Sequence, residues 1–158
     1  MPASARLRIA VANEINRLPL HRTIVEAGSG WGTLALHLVR HCPGIQVTGI
    51  ENSPVPWWFS RLLARLHVQF QSKAVAATRS SLAWVYGDMY DYDFESADVV
   101  VCYLYPGAMK QLSEVLSERL LPGTRIISIC FVLPGWRAER VITCSDLFRT
   151  PIYIYVVE

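Results

Sequence analysis

An apolar run, Val25-Glu26-Ala27, leads directly into Gly28-Ser29-Gly30-Trp31-Gly32. Glycines at 28 and 30 let the backbone turn tightly and let a ligand approach main-chain N–H groups beside a helix N-terminus. The spacing is not that of a dinucleotide fingerprint, which needs its third glycine at position 33, where this chain has Thr33. Nor is it a P-loop, because no Gly-Lys-Ser/Thr follows. Glu26, just ahead of the glycines, would repel a pyrophosphate and suits a ligand carrying an ammonium group. Two further acids close later strand-like runs: Glu51 after Val47–Ile50, and Asp88 in Gly87-Asp88-Met89 after Trp84-Val85-Tyr86. Glu51 can accept two hydrogen bonds from vicinal ribose hydroxyls, and Asp88 can accept one from an adenine amine. A lone acid after a strand more often caps a helix or stands in water. Three at the ends of successive strands point to one adenosine-type ligand.

The elements that must hold these residues follow from periodicity. Thr23–Ala27, Ile45–Glu51, Leu82–Tyr86, Asp98–Tyr103, Thr124–Val132 and Ile152–Val157 read as strands, most of them apolar without alternation, as in a parallel sheet covered on both faces. Ala5–Leu18, Thr33–His41, Val55–Gln71 and Ala108–Leu120 read as helices between them, and Trp58, Leu62, Leu66 and Phe70 mark one apolar face of the third. Pro122-Gly123 ends the fourth helix. Alternating strands and helices predict a doubly wound α/β domain, with ligands at the carboxyl ends of the strands. Arg140–Cys144 and Ile152–Val157 flank a turn at Ser145-Asp146 and predict an antiparallel hairpin that makes the C-terminal edge of the sheet.

Composition bounds the rest. The 158 residues suit one domain, expected to span 1–158. Apolar residues make up 52% and charged residues 18%, which excludes a disordered chain. The longest apolar stretch, Ala97–Ala108, is broken by Asp98, Pro106 and Gly107 and is too short for a bilayer, which takes ~20 residues. A net charge of +2 gives no clustered basic footprint, so no nucleic-acid partner is expected. Cys42, Cys102, Cys130 and Cys144 form no CxxC pair and read as reduced thiols of a cytoplasmic protein. His37 and His41 lie four apart without a third ligand, so no metal is expected. Trp57-Trp58-Phe59 reads as packing of a helix onto its sheet, and Asp91, Asp93 and Glu95 as a solvated acidic loop.

On the Val25–Gly32 loop, Ile50-Glu51 and Gly87-Asp88, the sequence resembles the class I S-adenosylmethionine-dependent methyltransferases. More narrowly it resembles small protein-lysine methyltransferases: a broad-specificity archaeal enzyme and the mitochondrial enzymes acting on the adenine nucleotide translocator and the ATP synthase c-subunit. The narrower likeness lies in Pro2-Ala3-Ser4, Glu51-Asn52-Ser53-Pro54, Tyr103-Leu104-Tyr105-Pro106, Pro122-Gly123-Thr124-Arg125 and Phe131 to Trp136. Those relatives usually carry Asp-Gly where this chain has Trp31-Gly32. The resemblance implies S-adenosylmethionine as cofactor, held by Pro2, Ser4, Glu26, Gly28, Ser29, Gly30, Gly32, Glu51, Asn52, Asp88 and Met89. It implies a catalytic pocket at Tyr103, Tyr105 and Pro106, and an acceptor opening bordered by Trp136. A protein lysine is the expected acceptor, with a small-molecule methyltransferase or a non-catalytic cofactor-binding protein as the alternatives. A monomer is expected, with membrane association only through a segment outside this chain.

Overall fold

The computed structural model describes residues 3–19, 23–70 and 80–158; the side chains of residue 64 and residues 66–70 are not described. The chain forms α1 (Ala5–Arg17), β1 (Thr23–Ala27), α2 (Thr33–His41), β2 (Gln46–Glu51), α3 (Pro54–Phe70), β3 (Ser81–Tyr86), β4 (Val99–Cys102), α4 (Pro106–Arg119), β5 (Arg125–Ile129), β6 (Arg140–Thr143) and β7 (Pro151–Val156). Among the described residues these strands make one sheet in the order β3-β2-β1-β4-β5-β7-β6. β3 through β5 are parallel, and β7 runs antiparallel to both β5 and β6. The expected antiparallel C-terminal edge is therefore a hairpin, with β7 paired inward to β5 and β6 outermost.

The unalternating strands have a direct cause, because successive side chains feed two different cores. Ile24, Val99, Val101, Ile127 and Ile129 join one cluster with α1 and α2 residues such as Leu7, Val11, Leu34 and Leu38. Val25, Val100, Cys102 and Ile126 join the other, with Met109, Leu112 and Leu116 of α4. With both faces covered, neither set can be polar. Glu14 of α1, almost wholly buried, pairs with Arg17 and with Arg140 of β6, which ties the first helix to the last hairpin.

Boundaries differ from expectation where local chemistry intervenes. Thr124–Val132 stops being a strand at Ile129, because Cys130 takes φ +73° and the Ser128 hydroxyl donates to Phe131 O at 2.5 Å, closing a turn. The fourth helix begins at Pro106, where a missing N–H costs nothing and φ is already helical. Gln71, the expected end of the third helix, lies outside the described residues. Of the face assigned to that helix, the side chains of Leu66 and Phe70 lie outside those described, and the two that are described stand outward. Trp58 is 72% exposed and Leu62 51%, whereas Ser60 is completely buried. Of the Trp57-Trp58-Phe59 cluster expected to pack on the sheet, Trp57 lies against Tyr86 of β3, while Phe59 meets Trp31 edge-on. The small face at Ser60 is needed because the Trp84 indole of β3 fills the space beside Ser60, Gly32 and Gly49.

Candidate functional site

The strand order reverses between β1 and β4, the place where a doubly wound sheet opens a crevice at its carboxyl edge. A cavity of about 610 Å³ lies there, with Gly28, Gly30, Glu51, Asn52, Met89, Tyr103 and Tyr105 in its wall. Its size is ordinary for a cofactor-sized ligand.

The loop after β1 is shaped by its glycines. Gly28, Gly30 and Gly32 take φ +72°, +52° and +71°, conformations that strain any side chain. Around Gly30 the space where a Cβ would stand is empty to 4 Å; a Cβ on Gly28 would strike Leu104. Two hydrogen bonds stitch the loop to the end of β2. Ser29 N–H donates to Ile50 O at 2.8 Å, and Gly30 N–H donates to Glu51 Oε2 at 2.7 Å. Glu51 Oε1 accepts Ser53 N–H at 2.8 Å. Each carboxylate oxygen is thus fixed by one backbone donor and keeps a second lone pair for a ligand hydroxyl.

On the opposite side stand the residues after β4. Tyr103 is half-buried and Tyr105 is 70% exposed, with its ring over the first turn of α4, where Gly107 leaves room for it. Burial raises the Tyr103 phenol, with Cys130 and Asp146 adding to the effect, so it remains neutral across the physiological range. Tyr90 is raised by burial too, then by Tyr105 and Asp88.

Several expected site residues stand elsewhere. Glu26 is fully buried behind the loop and accepts Ala35 N–H in the first turn of α2 at 3.1 Å. Burial pushes its pKa up to about 8, against the lowering effect of that hydrogen bond and with a further rise from Glu51. At neutral pH it is mostly a neutral acid aimed at a helix, not a charge offered to an ammonium group. Ser4 is committed as N-cap of α1, its hydroxyl accepting Leu7 N–H at 3.2 Å. Ser29 contributes its backbone, while its side chain turns away beside Gly49; its Oγ has no partner among the described residues. Gly32 begins α2 and lies against Trp84, not in the cavity wall. Asp88 is outside the wall and holds its own turn, accepting Tyr90 N–H at 2.9 Å, although its neighbours Gly87, Met89 and Tyr90 are in the wall. Pro106 starts α4 and is exposed. Trp136 is not brought to the opening. Its indole N–H donates to Ser113 O of α4 at 3.4 Å and its ring meets Tyr155 edge-on, which makes it part of the α4-side core. Pro2 lies outside the described residues.

Sequence reasoning missed Ile50, Tyr90, Leu104, Ala108 and Phe131, all in the wall. Each sits within a few residues of a strand's carboxyl end, a positional signal available once the strands are assigned.

A crevice at the switch point, with an acid fixed at the end of β2, belongs to the Rossmann-like methyltransferase fold. An RNA methyltransferase from Salinibacter ruber, crystallised with S-adenosyl-L-homocysteine, superposes with a TM-score of 0.81 at 25% identity over 99% of this chain and 94% of that one. The precorrin-6y C5,15-methyltransferase of Geobacter metallireducens has the same fold, with a TM-score of 0.69 at 14% identity over 99% of this chain and 90% of that one. A protein-lysine N-methyltransferase of Saccharolobus islandicus is 32% identical over 74 residues, and the match spans about half of each chain, 46%. A model of the ANTKMT methyltransferase domain matches residues 26–140, and the chain belongs to that family.

Proposed function

We propose that this chain is an S-adenosylmethionine-dependent methyltransferase acting on lysine side chains of protein. The observation that carries the reading is the carboxylate of Glu51, fixed by Gly30 N–H and Ser53 N–H in a cavity wall opposite two tyrosines. The residues fit the cofactor. Glu51 retains two acceptor sites for ribose hydroxyls, the empty space beside Gly30 admits a ligand against bare backbone, and Met89 with Gly87 flanks the adenine side. S-adenosylmethionine bound there would supply a sulfonium methyl carbon for in-line attack by a neutral amine, the C–S electron pair leaving on the thioether sulfur.

The protein's part is to position and desolvate the acceptor. The same cavity wall carries Leu104, Ala108 and Phe131, apolar groups that disfavour an ammonium ion and so release the lysine proton to water before attack. Tyr103, a neutral phenol, accepts an amine N–H and orients the lone pair. The tyrosine faces tolerate the cationic methylated product. Family membership and the matched stretch of the Saccharolobus islandicus lysine methyltransferase support lysine as acceptor.

Incubation with labelled S-adenosylmethionine and a proteome extract, followed by mapping of the label, tests the reading. The expected product is methyl-lysine. Label confined to RNA, to arginine or to a small metabolite would overturn the substrate and leave the cofactor.

A further inference from the structure

The loop between β6 and β7 leaves the sheet at the same end as the cavity. β7 runs antiparallel to β5 with Ile152 opposite Ile129, so Pro151, where β7 begins, sits at the carboxyl end of β5; Cys130 N–H donates to Pro151 O at 2.8 Å. At the tip of this loop stand Leu147, 88% exposed, and Phe148, 85% exposed, the most exposed large apolar side chains among the described residues.

The tip is built rigidly. Asp146 accepts both the N–H of Thr150, at 2.8 Å, and its hydroxyl, at 2.6 Å, and Arg149 N–H donates to Asp146 O at 3.1 Å. The Arg6 guanidinium of α1 donates to Ser145 O at 2.5 Å. The loop's one carboxylate holds the turn, and the exposed Arg149 beside it balances its charge. A basic peptide finds no net negative charge there. An apolar one finds two large side chains already in place, at little cost in ordering.

The tip is also continuous with the acceptor side of the cavity. Tyr103 in the wall lies near enough to Asp146 to respond to its charge, beyond the larger effect of burial. Because β4, β5 and β7 are neighbours in the sheet, the tip stands at the same end of the sheet as exposed Tyr105 and Val132, which follow β4 and β5.

We infer that Leu147 and Phe148 form a docking prong for the substrate polypeptide, selecting lysines that have apolar side chains nearby in place of lysines in basic tails. The inference rests on the lysine-methylation reading for its substrate, but binding tests it separately. Fluorescent peptides with one central lysine, flanked by Leu and Phe, by Ser and Gly, or by Arg, are titrated into the protein saturated with S-adenosylhomocysteine. The apolar-flanked peptide should bind about tenfold or more tightly than the others, in keeping with loss or gain of a buried anchor. The double variant Leu147→Ser/Phe148→Ser should lose that preference while keeping its affinity for S-adenosylhomocysteine and its thermal midpoint. Equal binding of the three peptides to the unaltered protein, or a preference that survives in the variant, overturns the prong. So does a variant whose only defect is in pelleting with phosphatidylcholine–phosphatidylglycerol vesicles or in self-association by sedimentation velocity, which would make the tip a lipid or self contact. A peptide that binds with the expected preference but gains no methyl group breaks the lysine reading and leaves the prong standing.

Discussion

Glu51 shows how one side chain can brace the fold and still offer acceptor sites to a cavity. Its oxygens hold the glycine loop and the start of the next turn through Gly30 and Ser53, so the orientation of the free lone pairs is set before any ligand arrives. Replacing Glu51 by Ala should weaken S-adenosylmethionine binding by about 1.5–3 kcal/mol, the range for hydrogen bonds to a charged group. Titration calorimetry reads this, and an unchanged affinity removes Glu51 from the ribose role proposed for it. Tyr103 presents a different case, since its ring is half-buried and its hydroxyl is the part assigned to the amine. Tyr103→Phe keeps the ring, so turnover should fall by an order of magnitude or more, ~10-fold, with cofactor affinity unaltered. Equal loss of cofactor binding would make the residue a wall of the cofactor site. Both residues were legible as part of the cavity wall because each stands at the carboxyl end of a strand. Glu26 was legible as a neighbour of the loop, but nothing local says which way a buried carboxyl points.

Among the elements, the first glycine loop, α2, α3 and the sheet are locked by one indole. Trp84 of β3 occupies the space against Gly32, Gly49 and Ser60, and a Cβ on either glycine would overlap its ring. Gly49 is in an ordinary strand conformation, so the effect of substituting it is steric alone. Gly49→Ala should cost about 1–3 kcal/mol of stability through overpacking, measured by urea denaturation of the ligand-free protein. Gly30→Val offers the contrast. Nothing stands within 4 Å of its Cβ, so the ligand-free protein should still fold, at a cost of about 1–2 kcal/mol for a side chain at φ +52°. Cofactor binding should be abolished because the side chain enters the cavity. A folded Gly30→Val that still binds would show that the ligand does not approach this loop.

For the molecule as a whole, the buried acid behind the loop makes stability depend on pH. An unfolded Glu26 releases its proton near the ordinary value of 4.5, whereas the folded one holds it to about 8. Between those values the native state binds more protons, so this contribution is fully present below about pH 4.5 and is lost as pH rises through about 8. Its full size is on the order of 5 kcal/mol, of which about 1 kcal/mol remains at pH 7. Urea midpoints for the protein and for Glu26→Gln, taken at several pH values across that window, should converge at the acid end, with only the Glu26 protein losing stability towards the alkaline end. Parallel curves would mean that Glu26 ionises freely in the fold. No helix among the described residues is long and apolar enough to cross a membrane.

What the sequence determined alone is short-ranged. Unbroken apolar runs called for a sheet covered on both sides, glycines at 28 and 30 allowed a tight loop open to a ligand, and an acid at the end of β2 offered an acceptor to a ligand or a cap. These follow from sterics and period within a few residues, and the helices and strands appear within a residue or two of their expected ends, save where Cys130 turns the chain early. Tertiary structure decided everything that depends on a distant neighbour. Trp136 faces the α4 core instead of the opening because Ser113 and Tyr155 receive it there. The third helix presents Trp58 and Leu62 outward because Trp84 needs the small surface of Ser60. The β6–β7 tip stands at the cavity's end of the sheet because β7 pairs antiparallel with β5, a choice of partner strand that no local pattern encodes.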